Sequence, residues 1–251
     1  MFYFIGAGPG DPDLLTVKAL KILQKADYVF YVKGLYLDRI LELCKEKTEL
    51  IPIKNFGLAE QVSFIKEHQD SVIVRLHTGD LSLESGYRDL ADRLLTENIV
   101  FECIPGVSSV SAALSSVVSD VLMIGNCNSF SVVKPFGPYI IPAGQSIKAL
   151  AGSGRGLAVF GVNRSTIRNI VAEYYEAGCT DEQFVCLVSR ASMPEQKIIV
   201  LPLGKVVEKV LNDDSFNRFT ILLSGNFLMA KTVGLTGKTR IFPEIVALEE
   251  N

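Results

Sequence analysis

The chain has no tryptophan, only two histidines, and five cysteines with no close pair among them. His68 and His77 are too few for the histidine-based ligand sets of a catalytic zinc, so no protein-bound metal is expected. Cys44, Cys103, Cys127, Cys179 and Cys186 are odd in number and scattered, without a CxxC spacing. They read as reduced thiols of a cytoplasmic protein. No apolar run approaches the ~20 residues that span a bilayer. The first residues lack a basic region before their apolar run and read as a strand rather than a leader, so no membrane partner is expected. Excess charge is also missing: 25 Lys and Arg face 28 Asp and Glu, a net charge of -3. That excludes the broad cationic field a nucleic acid needs but leaves room for a local basic pocket. What is present is an ordinary globular composition, 48% hydrophobic and 21% charged over 251 residues. It suits one large domain or two modest ones.

The first half alternates short apolar runs with helical periodicity. Strands are expected at Phe2 to Ile5, Tyr28 to Val32, Leu50 to Ile53, Ser71 to Leu76 and Ile99 to Ile104. Helices are expected at Asp13 to Ala26, Leu37 to Cys44, Leu58 to His68, Leu83 to Thr96 and Val107 to Ser119. This βαβα order predicts an α/β domain with a mostly parallel sheet over residues 1–120. The periodicity weakens around Val121 to Ser131, and prolines make the segment from Lys134 to Gly144 irregular. A second α/β domain, with a mixed sheet, is expected over 121–240 from strands at Leu157 to Gly161, Phe184 to Ser189, Lys197 to Leu201 and Phe219 to Ser224. Helices Ser165 to Ala177 and Gly204 to Leu211 alternate with them, and residues 241–251 form a tail.

Three loops stand where parallel strands end. The first, Gly6-Ala7-Gly8-Pro9-Gly10-Asp11, lies between a strand and a helix, where α/β sheets bind ligands. It is not a dinucleotide fingerprint. Asp11 replaces the last glycine and would repel a pyrophosphate, while Pro9 removes an N–H donor. The second strand ends Tyr31-Val32-Lys33, without the acid that holds a ribose. The second loop, Thr78-Gly79-Asp80, places an anion at a strand end. An anion there suits a cationic, hydroxyl-rich ligand such as S-adenosylmethionine. The third, Pro105-Gly106-Val107-Ser108-Ser109, turns the chain into a helix that its serines cap. Each loop alone is also explained by turn chemistry, and Asp11 by helix capping; all three together, in order, point to a ligand site. His77 reads as a structural hydrogen-bonding residue beside the second loop.

These three segments, with Val74-Arg75-Leu76-His77 before the second, resemble the tetrapyrrole (corrin/porphyrin) methylase family from Phe2 to about Gly225. The wording Arg75-Leu76-His77-Thr78-Gly79-Asp80 and the segment Val188 to Ile198 are most similar to the branch that methylates C11 of precorrin-4 or cobalt-precorrin-4. The resemblance implies two α/β domains with S-adenosyl-L-methionine between them, a homodimer, and a reduced tetrapyrrole as the methyl acceptor. It implies cofactor contacts from Gly8 and Pro9, from Gly79, Asp80 and Leu83, from Ser108 and Ser109, from Phe160 and from Ala191. It also implies Asp11 as a proton acceptor and Lys33 as a donor. The acceptor carries many carboxylates, for which Lys33, Arg75, Arg88, Lys134, Arg155 and Arg190 are candidate partners, with Arg75, Lys134 and Arg190 preferred. Any cobalt belongs to the substrate.

The chain departs from that branch in two places. Where the branch reads Gly-Asp-Pro-Ser, this chain has Gly79-Asp80-Leu81-Ser82, so a less stiff loop is expected. The segment from Ser131 to Pro138 differs from the branch's Thr/Arg-rich version, which bears on the acceptor. The same family could therefore serve another precorrin, uroporphyrinogen III or a diphthine precursor. A relative that binds cofactor or tetrapyrrole without catalysis is a third reading.

Overall fold

The computed structural model describes residues 1–34, 37–83, 85–117, 120–122, 127–135, 141–142, 144–216 and 219–229. The expected tail, 241–251, and part of the proline-rich segment lie outside these residues. The chain divides into two compact units, Met1–Ala112 and Ala113–Asn251.

The first unit is a parallel sheet of five strands: β1 (Phe2–Gly6), β2 (Tyr28–Tyr31), β3 (Glu49–Pro52), β4 (Ile73–His77) and β5 (Phe101–Ile104). They lie in the order β3-β2-β4-β1-β5, and each pairing is parallel. Strand alternation sends successive side chains to opposite faces. One face carries Ile5, Val29, Val74, Leu76 and Ile104, packed on α1 (Val17–Leu23) and α2 (Asp38–Leu41) through Ala19, Leu23, Ile40 and Leu41. The other carries Phe2, Phe4, Phe30 and Ile73, packed on α3 (Leu58–Glu67) and α4 (Arg88–Thr96) through Val62, Ile65, Leu90 and Leu94. Phe4 makes edge contacts with Phe2 and Phe101 at 4.9 and 5.4 Å between centroids. The fully buried rings of Phe2 and Phe4 contribute roughly 1.5–3 kcal/mol each.

Several expected helices come out shorter, among them Leu37 to Cys44, observed as Asp38–Leu41, and Val107 to Ser119, observed as Ser109–Ser116, and two of the changes bear on the loops. Residues 13–26 do not form one helix: Asp11 caps a 3-10 turn at Pro12–Leu14, Leu15 is extended, and Thr16 caps α1 anew by accepting from Ala19 N. The helix expected from Leu83 begins at Arg88. Residues before it are held as a loop that includes Gly86 at φ 64°.

The helix α5 (Ser109–Ser116) spans the unit boundary. The second unit is a mixed sheet of β6 (Phe130–Val133), β7 (Gly156–Val162), β8 (Phe184–Ser189), β9 (Lys197–Pro202) and β10 (Thr220–Ser224), in the order β6-β7-β10-β8-β9. β6 and β7 are parallel, and the other pairs are antiparallel. β7 and β8 both oppose β10, so β6, β7 and β8 point the same way. One face packs on α6 (Ile147–Leu150), α7 (Ile167–Glu176) and α8 (Leu203–Asn212). Tyr174 of α7 is wholly buried there, its hydroxyl 2.7 Å from Ser224 Oγ. The strand β6 and the one-turn α6 were not apparent in the sequence.

Candidate functional site

β4, β1 and β5 are adjacent, and the loops that follow them carry the three motifs. The backbones meet closely. Ala7 N donates to the His77 carbonyl at 2.7 Å. Gly8 and Gly79 exchange two backbone hydrogen bonds, 3.1 and 2.8 Å, as an isolated bridge. A Cβ on Gly6 would stand 2.7 Å from Gly106 N and 2.9 Å from the Gly79 carbonyl oxygen, so three strand ends converge where only glycine fits. Ser109 N, at the start of α5, lies 3.7 Å from where a Cβ of Gly79 would sit.

Asp80 fastens this junction. Its Oδ2 accepts from Gly106 N at 3.0 Å and its Oδ1 from Ser82 N at 2.8 Å, with the Ser82 hydroxyl also donating to Oδ1. Burial disfavours the charge, but the Ser82 hydroxyl and the N–H groups of Gly106, Ser82 and Leu81 outweigh it. The carboxyl is therefore held below the usual carboxylate range. A fixed anion results at the carboxyl end of the sheet. Gly8 and Pro9 are buried, Ser108 and Ser109 half-buried, and Leu83 is 38% exposed. Ser108 Oγ accepts from Val110 N at 3.1 Å.

Asp11 is half-buried just beyond the first loop, its Oδ1 accepting from Asp13 N at 3.1 Å. Lys33 is exposed past the end of β2, with β4 between β2 and β1. Arg75 is not brought to this junction. It shares its sheet face with Ile73 and His77, and its Nη1 donates to Gln61 of α3 at 3.0 Å. Burial lowers its pKa, and its Nε is buried without a hydrogen bond. Arg88 begins α4 beside Asp92, at 3.6 Å.

In the second unit, Lys134, Arg190 and Ala191 stand just past the carboxyl ends of β6 and β8, and Phe160 lies inside β7, level with Lys134. Phe160 lies where the β7–β10 register shifts, beside Gly161 at φ 76°. Ala191 is buried between Arg190 and Ser192, both in the left-handed region at φ 49° and 70°. Two non-glycine residues so placed cost of order 1–2 kcal/mol each. Hydrogen bonds hold the turn: Arg190 N to the Phe219 carbonyl at 3.1 Å and Ser192 N to Gln196 Oε1 at 2.7 Å. Arg155 precedes β7 and so lies at the opposite edge, its Nε donating to Ser153 Oγ at 2.8 Å.

Thr220 is a buried polar residue of the second unit. It opens β10 between Val162 of β7 and Ser189 of β8, 1% exposed, and its hydroxyl has no hydrogen bond. Nothing local marks it, because its position depends on pairing with distant strands.

A parallel α/β unit with glycine junctions at three strand ends, and a mixed α/β unit with a strained turn at its strand edge, define the fold and site class. The profile of the Tetrapyrrole (Corrin/Porphyrin) Methylases matches residues 1–207, and the chain belongs to that family of methyltransferases. It is 31% identical to a cobalt-precorrin-4 C(11)-methyltransferase of Methanocaldococcus jannaschii, over 90% of this chain and 88% of the relative. It is 27% identical to a precorrin-4 C(11)-methyltransferase of Mycobacterium tuberculosis, over 91% and 92%. Among solved structures, a cobalt precorrin-4 methyltransferase superposes with a TM-score of 0.83 at 27% identity, over 89% of this chain and 94% of that one. The uroporphyrin-III C-methyltransferase of Thermus thermophilus, complexed with S-adenosylhomocysteine, shares the fold with a TM-score of 0.73 at 24% identity, over 90% and 92%.

Proposed function

We propose that the chain transfers a methyl group from S-adenosylmethionine to C11 of precorrin-4 or its cobalt form, in cobalamin biosynthesis. The observation that carries the reading is the junction of Gly6, Gly79 and Gly106 with the anionic Asp80, in a chain similar to C11 enzymes over nine-tenths of its length. The fixed negative charge and the half-buried serines beside it suit a ligand with a sulfonium, an ammonium and a ribose. When bound, the sulfonium supplies an already activated methyl group and leaves as a neutral thioether.

The protein's task is then chiefly alignment. Holding donor and acceptor in line contributes ~7–11 kcal/mol to lowering the barrier. The glycine junctions do this by fixing the backbone at three strand ends. Leu83 offers apolar contact to the donor, and Asp11, half-buried at the loop's end, takes the ring proton. In the second unit, Phe160 and Ala191 provide further cofactor contacts, while Lys134 and Arg190 meet acceptor carboxylates. The reading includes a homodimer in the cytoplasm.

The test is incubation with S-adenosylmethionine and a panel of acceptors: precorrin-4, cobalt-precorrin-4, other precorrins and uroporphyrinogen III. A mass gain of one methyl on precorrin-4 or its cobalt form, located at C11 by NMR, is expected. Gain on another acceptor alone moves the chain to another branch of the family, and cofactor binding without turnover makes it a binding protein. Asp11→Asn keeps a good helix cap but not a base. It should lower kcat by ~10²–10⁴-fold with cofactor affinity unchanged; an unchanged kcat would remove the role given to Asp11.

A further inference from the structure

His77 ends β4 with its ring on the α3/α4 face, 7% exposed, 5.9 Å from the ring of Phe4 and 6.1 Å from that of Tyr87. Nδ1 lies 2.8 Å from the Ser85 carbonyl oxygen. A carbonyl only accepts, so the proton sits on Nδ1. Nε2 is buried without a hydrogen bond. Such an orphan acceptor carries a desolvation cost that a leucine of similar size would not incur. Packing alone therefore does not account for an imidazole at this position.

What the imidazole does do is reach the loop between β4 and α4. That loop begins at Asp80 and carries Leu83. Its front is tied by Asp80 to Ser82 and Gly106. Ser85 Oγ closes it on the Leu81 carbonyl at 2.8 Å, and Leu81 is buried, 6% exposed. Its far end, next to Gly86 at φ 64°, is tied by His77. No proline lies between Asp80 and Gly86, so no ring fixes φ in this loop. Hydrogen bonds from outside the loop must supply the rigidity instead.

We propose that His77 is a positioning residue: its Nδ1–H latches Ser85 and holds the loop, with Asp80 and Leu83, in the conformation that receives the methyl donor. The inference rests on the cofactor reading above and adds to it a residue that does not itself touch the ligand. Neutrality of the ring is secured by burial first and by the nearby Arg75 charge second, which push its pKa down to about 4. The latch therefore stays in one protonation state at neutral pH.

The test compares His77→Asn, His77→Gln and His77→Leu in the full chain. Asn places an N–H near the position of Nδ1, whereas Gln places it near that of Nε2. Two readouts are needed: amide hydrogen exchange of the 81–87 loop without cofactor, and the S-adenosylmethionine dissociation constant by calorimetry. Expected are faster loop exchange and an approximately tenfold weaker affinity for Leu and Gln, with kcat at saturation within about twofold, and near wild-type values for Asn. Wild-type loop protection and affinity in His77→Leu would overturn the proposal, as would Gln rescuing as well as Asn. Should the Leu variant not fold, the Asn and Gln pair carries the comparison. A wild-type protein that does not bind the cofactor sinks the functional reading and the positioning role together, while exchange still reports separately on the latch itself.

Discussion

Asp80 shows what a carboxylate at a strand end does when it is not left to solvent. Both oxygens are engaged by N–H groups, Gly106 on one and Ser82 on the other. Its depressed pKa fixes the sign of its linkage. The stabilisation is fully present above the unfolded value of ~3.9 and is lost as pH falls through the lower folded value. Asp80→Asn keeps the shape but turns one acceptor into a donor facing a donor. We expect a loss of about 1–3 kcal/mol at pH 7, measured by urea unfolding, together with weaker cofactor binding. Equal unfolding midpoints in variant and wild type would show the junction to be held by its glycines alone. The sequence placed Asp80 at a crevice because a Gly-Asp pair ends a predicted parallel strand. It did not reveal that the charge serves the junction first, since Gly106 lies 26 residues away. Arg75 is likewise engaged within its own unit. Two residues before the strand's end, alternation sends its side chain to α3 and Gln61, not to the carboxyl edge.

At the scale of elements, the loops matter more than the helices between them. A Cβ on Gly106 would run into the carbonyl oxygens of Gly6 and Gly79, which are backbone atoms with little freedom to yield. Gly178, by contrast, has positive φ but open space around it. Gly178→Ala should cost ~1–2 kcal/mol from conformation alone, whereas Gly106→Ala should cost more than that and abolish cofactor binding. Thermal unfolding and calorimetry of the two variants check the contrast; similar losses in both would mean the strand ends are less closely packed than the geometry states. The turn after β8 tests the opposite case. Ser192 is held at φ 70°, so Ser192→Gly should stabilise the chain by about 0.5–1 kcal/mol while loosening the frame around Ala191 and raising the cofactor dissociation constant. A destabilised Ser192→Gly in urea unfolding would show that the turn stores no strain. Strands and the three motif loops were legible because apolar runs and glycines coincide there. Helix starts were less so: the apolar spacing from Leu83 continues into α4, but the bonds of Asp80, the His77–Ser85 contact and Gly86 at positive φ keep the residues before it as a loop. β6 is a four-residue edge strand whose pairing with β7 has no local marker.

For the molecule as a whole, acid should be felt before the carboxylates titrate. Hydrogen bonds hold Asp27, Asp80 and Asp213 below their ordinary range, with lysine partners adding to this at Asp27 and Asp213, so their contributions fade only as pH falls below about 4. His77 behaves differently. Its folded pKa, about 4, lies below the unfolded ~6.5, so between those values the unfolded chain binds a proton that the folded chain does not. Stability therefore rises with pH across this window and is fully present above about 6.5. From pH 7 to 5 the difference amounts to roughly 2 kcal/mol for one buried imidazole. Among the described residues His77 is the imidazole held well below its ordinary range, which makes the slope assignable to it. Urea unfolding at pH 7 and pH 5 should show this loss in the wild type. His77→Asn, which has nothing to titrate there, should show little of it. A variant that keeps the full slope would mean that the imidazole is hydrated in solution, and the ring that holds the cofactor loop would then not be the dry, neutral latch described above.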